Sequence, residues 1–456
     1  MKDWVPSLVD SGKPRYLQIA DAIGAAIRAG ELGAGDRLPP QRRLAGRLGI
    51  DFTTVSRAYA EAAARNLVES HVGRGTFVRA AAPASEVPDP RRCRDEDLSM
   101  NMPPEPADKE LLERMGDGLR TVSANLTALL RYQSATGSDC DKAAALSWLA
   151  GRGMRPGLDR VAVTPGAHAA MTAILSILAR AGDTVLCEAV TYPGLRAIAA
   201  RLNLRLVGVP MDGDGIIPEA LEEVIRRDSP KALYLNPTVH NPTTLTIPQA
   251  RRAQIAAVLA RHRLPLIEDD AYGFVPGAPP PPLAVLAPDL TWHVGGLSKC
   301  IGAGLRLAYV VAPDARCALA LGQALRAISV MPSPICAALA TRWIEDGTAD
   351  RIRHFLRSES AARQKIAAEI LSGLEFRSDP EAFNIWLALP EGSSRAELMG
   401  RMAGRRVGLM PSDAFTVAGE AGEHVRVCLG GAISRSELQA SLLFMANSLS
   451  EGGWMG

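Results

Sequence analysis

The pattern of apolar and polar positions divides the chain into three zones. Between residues 14 and 79, apolar residues recur at helical spacing in short runs, as Ile19 and Ile23 do in YLQIADAIGAAIRAG. Residues 80–97 are small, proline-bearing and charged, without an apolar period, which is typical of an exposed linker. From residue 98 onward, β-branched apolar runs such as RVAVTPG, TVLCEAV and KALYLNP alternate with helical stretches rich in Ala and Leu.

This alternation predicts the fold class of the third zone. Strands that alternate with helices indicate crossover units, and these produce a mostly parallel sheet with helices on both faces. We therefore expect an α/β domain over residues 98–456, a linker over residues 80–97, and a separate helical domain over residues 1–79.

Charge is distributed unevenly between these zones. The first 80 residues contain 12 Lys and Arg against 8 Asp and Glu, although the whole chain of 456 residues has a net charge of only +2. A local, arginine-rich excess favours a nucleic-acid partner for the first domain. The 7 cysteines are scattered and odd in number, which predicts reduced thiols and no zinc site. We expect no signal peptide, no membrane span and a cytoplasmic location.

The first zone has the element order of a helix-turn-helix with a hairpin. LPPQRRLAGRLGI predicts a short helix that stops at Gly49, and DFTTVSRAYAEAAARNLV predicts a third helix. The stretch LVESHVGRGTFV predicts a β-hairpin with Arg74 at its tip. The third helix would enter a DNA major groove, and the hairpin would contact phosphate or the minor groove. The alternative is a small helical domain that binds another protein.

A lone lysine, Lys299 in GGLSKCIGAGLRLAY, raises a second question. It is either a solvated loop residue or the covalent attachment point of pyridoxal phosphate. That cofactor also needs a carboxylate at its ring nitrogen and a cradle for its phosphate. For the carboxylate, LPLIEDDAYG places Glu268, Asp269 and Asp270 at the end of an apolar strand. The same acidic cluster is also compatible with a metal site.

For the phosphate, VAVTPGAHAAMTAIL predicts a strand, a turn at Gly166 and a helix. The backbone N–H groups of Ala167 and His168 would face an anion at the helix N-terminus, and Arg306 would add a charged contact.

Three further residues suit the cofactor ring and its phenolate oxygen. Tyr192 in EAVTYPG offers an aromatic face, and Asn241 in NPTVHNPTT and Tyr272 offer donors for the phenolate oxygen. Taken singly, each signal is weak: His168 alone suits a helix surface, and Tyr192 alone suits the core.

Two family resemblances follow from these motifs. PRYLQIADAIGAAIRAGELGAGDRLPPQRRLAGRLGI, TTVSRAY and VGRGTFV resemble the winged helix-turn-helix of GntR-type regulators over residues 14–78. This resemblance implies that the DNA contacts are Arg42, Thr53, Thr54, Arg57 and Arg74. Asp51 and Phe52 depart from the residues common at the start of the recognition helix, so the base preference is expected to differ.

From residue 98 onward, TPGAH, TYPG, HNPTT, DDAYG, LSK, GLRLAY and VRVCLGG resemble, in this order, the fold-type I aminotransferases, which have a smaller C-terminal subdomain. The resemblance implies that Lys299 forms the internal aldimine, that Asp269 pairs with the pyridine nitrogen, and that Tyr192 stacks on the ring. It implies cofactor contacts at Asn241, Tyr272, Ser298, Arg306 and the turn formed by Gly166, Ala167 and His168. It also implies that Arg426 binds a substrate carboxylate and that Tyr132 reaches the phosphate across a dimer interface. Gly296 replaces a common serine or threonine, so one phosphate contact is expected to be missing.

The combination resembles the MocR/GabR regulators and implies a transcription factor that senses an amine through pyridoxal phosphate. An amino-bearing effector would displace Lys299 to form an external aldimine, and the linker would transmit the change to the DNA-binding domain of a head-to-tail homodimer on double-stranded operator DNA. The effector would belong to the catabolic or related amine pathway that the protein controls. One alternative is an active aminotransferase with an N-terminal regulatory domain, because the apparatus for transamination looks complete. Another is a cofactor-free scaffold. The effector, the operator and the direction of regulation remain open.

Overall fold

The computed structural model describes residues 4–6, 13–65, 67–71, 75–79 and 97–451. The chain divides into two compact units, residues 1–95 and 96–456. Arg74 and the predicted linker up to residue 96 lie outside the described residues.

The smaller unit contains three helices and a two-stranded antiparallel sheet among its described residues. Its elements are α1 (Arg15–Arg28), α2 (Gln41–Leu48), α3 (Phe52–Ala64), β1 (Val68–His71) and β2 (Gly75–Val78). The predicted helix face packs inward, since Ile19 and Ile23 are fully buried against Val55 of α3. This is the helix-turn-helix and hairpin order that the apolar spacing predicted.

The turn between α2 and α3 depends on two residues with local roles. Gly49 ends α2 with φ of 62°, a left-handed conformation that favours glycine. Asp51 precedes α3, and its side chain accepts a hydrogen bond from the Thr53 backbone N–H at 2.7 Å. The hydrogen bonds that Asp51 accepts from the Thr53 hydroxyl and from this backbone N–H hold the pKa of the Asp51 carboxyl below its usual value. The unusual aspartate therefore acts as the N-cap of the third helix.

The larger unit is built around a seven-stranded sheet in the order β3-β11-β10-β9-β8-β4-β5. Its strands are β3 (Val161–Thr164), β4 (Thr184–Glu188), β5 (Arg205–Val209), β8 (Ala232–Leu235), β9 (Leu266–Asp269), β10 (Thr291–Gly296) and β11 (Ala308–Val311), while β6 (Met211–Asp212) and β7 (Gly215–Ile216) form a small hairpin. In the seven-stranded sheet, β11 pairs antiparallel with β3 and β10, and every other pairing is parallel. The predicted α/β fold with a mostly parallel sheet is confirmed.

A smaller antiparallel sheet follows in the order β12-β13-β15-β14. Its strands are β12 (Phe376–Ser378), β13 (Asn384–Ala388), β14 (Leu409–Pro411) and β15 (His424–Cys428). The helices of the larger unit are α4 (Lys109–Ser123), α5 (Leu126–Leu129), α6 (Asp139–Ala150), α7 (Ala167–Leu178), α8 (Pro193–Arg201), α9 (Pro218–Asp228), α10 (Gln249–His262), α11 (Leu283–Leu286), α12 (Ala315–Ser329), α13 (Pro334–Glu345), α14 (Thr348–Ile370), α15 (Arg395–Arg401) and α16 (Arg435–Glu451). Of the helices described, none combines the length and apolar character that crossing a bilayer requires.

The strand directions decide where chemistry-bearing residues gather. Strands β4, β8, β9 and β10 are parallel, so Glu188, Leu235, Asp269 and Gly296 all lie at one edge of the sheet. Because β11 is antiparallel, the residues just before it reach this same edge. Ligand sites of α/β sheets lie outside such carboxyl ends.

Candidate functional site

A cavity of about 420 Å³ lies at this edge of the sheet. It contains most of the cofactor and effector residues predicted from the sequence of the larger unit. The predicted residues that line it are Ala167, His168, Tyr192, Asn241, Asp269, Tyr272, Ser298, Lys299, Arg306 and Arg426. Residues up to 259 positions apart therefore converge on one site.

The three consecutive acidic residues at the end of β9 have three different environments. The Glu268 carboxylate accepts hydrogen bonds from the backbone N–H groups of Leu283 and Ala284 at 2.7 and 2.8 Å, at the start of α11. Asp270 accepts from Arg152 Nε at 3.0 Å and is 3.2 Å from His293 Nε2. Side chains alternate along a strand, so Asp269 alone of the three faces the cavity.

Asp269 is held in place by its neighbours but keeps one oxygen without a partner. Tyr234 Oη donates to Asp269 Oδ2 at 2.8 Å, and Asn236 Nδ2 donates to the Asp269 backbone oxygen at 2.7 Å. Asp269 Oδ1 is buried and has no hydrogen-bond partner. Burial raises the pKa of this carboxyl to about 6. An oriented carboxylate oxygen with no partner is suited to a donor from a bound molecule.

Lys299 places its side-chain amine at the cavity. Its Nζ donates to the backbone oxygen of Asn101 at 2.6 Å. Burial lowers the pKa of Lys299 to about 8, and the positive charges of Arg426 and Arg306 act in the same direction. A larger fraction of this amine is therefore neutral near pH 8 than of an ordinary lysine, as a nucleophilic amine requires.

An anion cradle forms where β3 meets α7. Gly166 has φ of 88°, and an added Cβ would lie 3.1 Å from Arg306 Nη2. Thus only a residue without a side chain fits both the turn and the neighbouring guanidinium. Arg306 Nη1 is 3.5 Å from Ser298 Oγ, and the first N–H groups of α7, from Ala167 and His168, have no helical acceptor. Together these groups offer a phosphate-sized anion several donors.

Tyr192 and His168 form a pair on the cavity wall. Tyr192 Oη and His168 Nε2 are 2.9 Å apart, and the ring centroids are 5.6 Å apart. Burial lowers the pKa of His168, with further contributions from Arg306 and Lys299, so the imidazole is neutral at physiological pH. A Cβ on Gly194 would lie 2.3 Å from both rings. The glycine after the TYP stretch is therefore needed for this close approach.

Arg426 brings a charged group from the smaller sheet into the cavity. Its side chain is only 2% exposed. Its Nη2 donates to the backbone oxygen of Ser99 at 2.6 Å, its Nη1 donates to Asn241 Oδ1 at 3.1 Å, and its buried Nε has no partner. Burial lowers the pKa of this guanidinium, but it remains charged at physiological pH. Such a group is suited to a carboxylate.

The segment that crosses this cavity was not predicted from the sequence. Residues 99–101, hereafter the crossing segment, bond to both Lys299 and Arg426. Asn101 Nδ2 also donates to Tyr272 Oη at 3.0 Å and to Asn384 Oδ1 at 2.9 Å. Tyr234 and Asn236, which orient Asp269, were missed as well. A tyrosine in a buried strand needs a hydrogen-bond partner for its hydroxyl, so Tyr234 could have been identified from the sequence. No local sequence pattern indicates a role for Asn101.

Not every predicted residue lies at this cavity. Tyr132 is 87% exposed and does not line it, so its proposed role across a dimer interface stays a prediction. Gly296 lines the cavity, and an added Cβ would be 3.7 Å from Ala167 Cβ, so there is room for the missing hydroxyl-bearing residue. Among the residues described, no acidic, histidine and cysteine cluster is suited to a metal ion.

The predicted DNA contacts lie in the smaller unit. Arg42, Thr53 and Arg57 are exposed and Thr54 is half-buried. The guanidinium of Arg57 lies 4.4 Å from the ring centroid of Tyr16. Thr53 also donates its hydroxyl to the Asp51 carboxylate, so that hydroxyl is engaged in the helix cap. The roles of these residues on DNA stay predictions.

Comparison with known proteins identifies the larger unit. Residues 96–442 match the family described as aminotransferase class I and II. The chain belongs to this aminotransferase family. Residues 15–78 match the bacterial regulatory proteins of the gntR family. This aminotransferase-family chain therefore also carries a DNA-binding regulatory head, and the predicted combination of the two is confirmed.

Two relatives of this aminotransferase-family chain are named as HTH-type transcriptional regulators. It is 28% identical over 451 residues to an uncharacterized HTH-type transcriptional regulator, YdeF, of Bacillus subtilis, covering 98% of this chain and 97% of that protein. It is 27% identical over 329 residues to the HTH-type transcriptional regulator TauR of Rhodobacter capsulatus, covering 65% of this chain and 67% of TauR. The protein is a transcriptional regulator with an aminotransferase-like domain.

A solved structure shows the same fold. The α-aminoadipate aminotransferase LysN of Thermus thermophilus, crystallised with N-(5′-phosphopyridoxyl)-L-leucine, superposes with a TM-score of 0.70 at 23% identity. The match covers 79% of this chain and 93% of LysN.

The cofactor of this family is pyridoxal 5′-phosphate, and the cavity of this aminotransferase-family chain fits it. Asp269 Oδ1 is a buried acceptor without a partner, as a pyridinium N–H requires. The cradle beside Gly166 offers donors to a phosphate, and Lys299 offers an amine with a lowered pKa. The predicted cofactor is therefore confirmed.

Proposed function

We propose that this regulator senses an amino-bearing small molecule in the cavity and changes its hold on operator DNA in response, controlling the catabolism of that compound or a related amine pathway. Pyridoxal phosphate, when bound, supplies an aldehyde carbon that exchanges one amine for another. Lys299 would hold this carbon through its Nζ, in competition with the amine of the effector. Asp269 accepts the ring N–H, and the cradle at Gly166 retains the phosphate.

The observation that carries this proposal is the crossing segment. Lys299 Nζ, which the cofactor would engage, and Arg426 Nη2, which a bound amino acid would engage, each donate to a backbone oxygen of this segment at 2.6 Å. An effector carboxylate on Arg426 has to compete with the Ser99 oxygen for the same N–H group. Attachment of the cofactor likewise takes Lys299 away from Asn101.

The position of the crossing segment in the chain explains how the signal would leave the cavity. It lies only a few residues after the predicted linker 80–97, so its displacement changes the end of the chain that leads to the DNA-binding unit. A ligand shifts an equilibrium between two conformations by its difference in affinity for them. Release of Ser99 from Arg426 by the effector carboxylate provides such a difference.

A homodimer completes the proposal. Tyr132 is predicted to reach the phosphate of a second copy, and the chain around it presents apolar side chains to solvent: Leu130 is 69% exposed and Leu126 is 45% exposed. Exposed leucines beside an exposed tyrosine support a protein interface at this surface. In a head-to-tail dimer, two heads would bind a repeated or palindromic operator.

The decisive experiment follows DNA binding and cofactor absorbance together. The full chain, loaded with pyridoxal phosphate, is titrated into labelled DNA from upstream of its own gene, with and without a panel of amines. The proposal requires an amine that changes both the absorbance and the DNA affinity. The proposal is refuted if amines of the panel change the absorbance but none of them changes the DNA affinity.

A variant of the crossing segment tests the coupling itself. Asn101→Ala removes the bonds to Tyr272 and Asn384 and leaves Arg426 and Lys299 intact. We expect its DNA affinity without amine to move toward the effector-bound value of the wild type. Unchanged DNA affinity in a variant that still binds cofactor would contradict the proposed route.

The second candidate is an active aminotransferase with a regulatory head. It is supported by the presence of Lys299, Asp269 and Arg426 in one cavity. Steady-state turnover of an amino donor with a keto acid at about 1–10³ s⁻¹ would favour it. A single conversion per site would favour the sensor.

A further inference from the structure

Bound pyridoxal phosphate would engage most of the charged side chains that line the cavity. Asp269 serves the ring nitrogen, Lys299 the aldehyde and Arg306 the phosphate, while His168 is neutral beside Tyr192. Among the lining residues that the structure describes, Arg426 is then the one formal charge available to the effector. It can pair with a single carboxylate.

The remaining wall combines polar groups that hydrogen-bond within the protein, such as Asn101 and Asn236, with an apolar surface. It includes the thioether side chains of Met100, Met171 and Met410 together with Ala197 and Ala303. Met171 is fully buried on α7, three residues after His168 and therefore on the same helix face. Methionine adapts its shape to irregular apolar ligands.

Met410 occupies the position that matters most for selectivity. It is the direct cross-strand partner of Arg426 in the pairing of β14 with β15. Directly opposed residues of antiparallel strands place their side chains on the same face, about 5 Å apart at Cβ. The β14 neighbour of the carboxylate-binding arginine is therefore a thioether and carries no second charge.

We propose that the effector is an amino monocarboxylic acid whose remaining part is uncharged and apolar. This proposal rests on the proposed function and names the class of molecule that it senses. A second carboxylate would be buried among methionines and alanines, and no further arginine of the described lining is left to pair with it, which carries a large desolvation cost. A second ammonium would meet the same wall and would be repelled by Arg426.

Three amino acids of matched shape test this class. L-norleucine, L-2-aminoadipate and L-lysine share an unbranched side chain that ends in a methyl, a carboxylate and an ammonium group, respectively. Binding of each to the cofactor-loaded full chain is measured by isothermal titration calorimetry and by the change in cofactor absorbance. We expect norleucine to bind at least about ten-fold more tightly than either charged analogue.

A pair of substitutions locates the selectivity. Met410→Arg adds a cation beside Arg426 and is expected to shift the preference toward aminoadipate by about ten-fold or more. Met410→Leu preserves the apolar surface and is expected to keep the wild-type order. Equal or tighter binding of aminoadipate or lysine by the wild type would overturn the proposal, as would failure of all three amino acids to bind.

The DNA readout separates this proposal from the one on which it rests. If norleucine binds selectively but leaves the affinity for the upstream DNA unchanged, the effector class stands and the sensing function fails. If aminoadipate binds best and changes DNA affinity, sensing stands and the apolar class is wrong.

Discussion

Substitution of Asp269 by asparagine should stabilise the cofactor-free protein and lower its affinity for pyridoxal phosphate. Without cofactor, the carboxylate is buried, and its Oδ1 lacks a partner. Its pKa is about 6 instead of the ordinary 3.8. A pKa that folding raises means that the ionised group opposes folding.

The size of this effect follows from the two pKa values. The difference between about 6 and 3.8 corresponds to about 3 kcal/mol above pH 6, at 1.36 kcal/mol for each pKa unit. Wild-type stability falls as pH rises from about 4 to about 6, because the unfolded carboxyl loses its proton before the folded one does. The variant has no such titration, so its advantage is complete above pH 6 and shrinks to about half near pH 5.

The assay is calorimetric unfolding of cofactor-stripped protein between pH 4.5 and 8. Unfolding entropy of about 2.1 cal/mol/K per residue, over the larger unit of residues 96–456, converts about 3 kcal/mol into a rise of about 4 °C. Added pyridoxal phosphate should raise the transition temperature of the wild type more than that of Asp269→Asn, because the variant lacks the charged acceptor.

The adjacent carboxylate provides a control of opposite sign. Burial by itself would raise the pKa of Asp270, but Arg152 and His293 hold the pKa of that carboxyl well below its usual value. Asp270→Asn should therefore destabilise the protein by about 3–5 kcal/mol, since it leaves the Arg152 charge buried and unpaired. A cofactor-free Asp269→Asn protein that is no more stable than wild type at pH 7.5, or an advantage independent of pH, would refute the reasoning.

Three further outcomes are expected. The rate at which cofactor attaches to Lys299 should rise with pH through about 8, as the neutral amine accumulates, and stopped-flow absorbance measures it; a flat profile would contradict the lowered pKa. Gly166→Ala should weaken cofactor binding about ten-fold or more in an absorbance titration, because the added Cβ crowds the Arg306 guanidinium. Gly182 has the same φ of 88° and open space around it, so Gly182→Ala should lower stability without weakening cofactor binding. In fluorescence anisotropy, Arg42→Ala should weaken DNA binding and lower the salt slope by about one, while Arg65→Ala, whose guanidinium pairs with Asp21 and Glu61, should leave the slope unchanged.

Much of the site could be predicted because its residues follow strand ends. Asp269 is the last residue of β9 and Lys299 lies three residues after the end of β10, and parallel strands bring their carboxyl ends to one edge. Gly166 marked a turn before a helix, which predicted an anion cradle from local sequence alone. In each case, a short stretch contained both the element and the functional residue.

Other features could not be predicted because their partners lie far away along the chain. Asn101 meets Tyr272 across 171 positions, and Arg426 meets Ser99 across 327. The stretch SMNMPP has no periodicity that indicates a segment crossing a cavity. Asp269 Oδ1 is likewise left without a hydrogen-bond partner because Tyr234 bonds to Oδ2, and that contact also joins distant parts of the chain.

The sequence by itself determined the two-part organisation and the alternation of strands with helices, because helix and strand periods and turn residues act over a few positions. Only the tertiary structure decided which groups of the cavity hydrogen-bond to one another and so compete with a ligand. Contacts such as Ser99 with Arg426 form when a loop closes over hundreds of residues, and the apolar contacts that close it are distributed throughout the core. The selective wall beside Arg426 arises in the same way, from the register of two strands that places a methionine opposite an arginine.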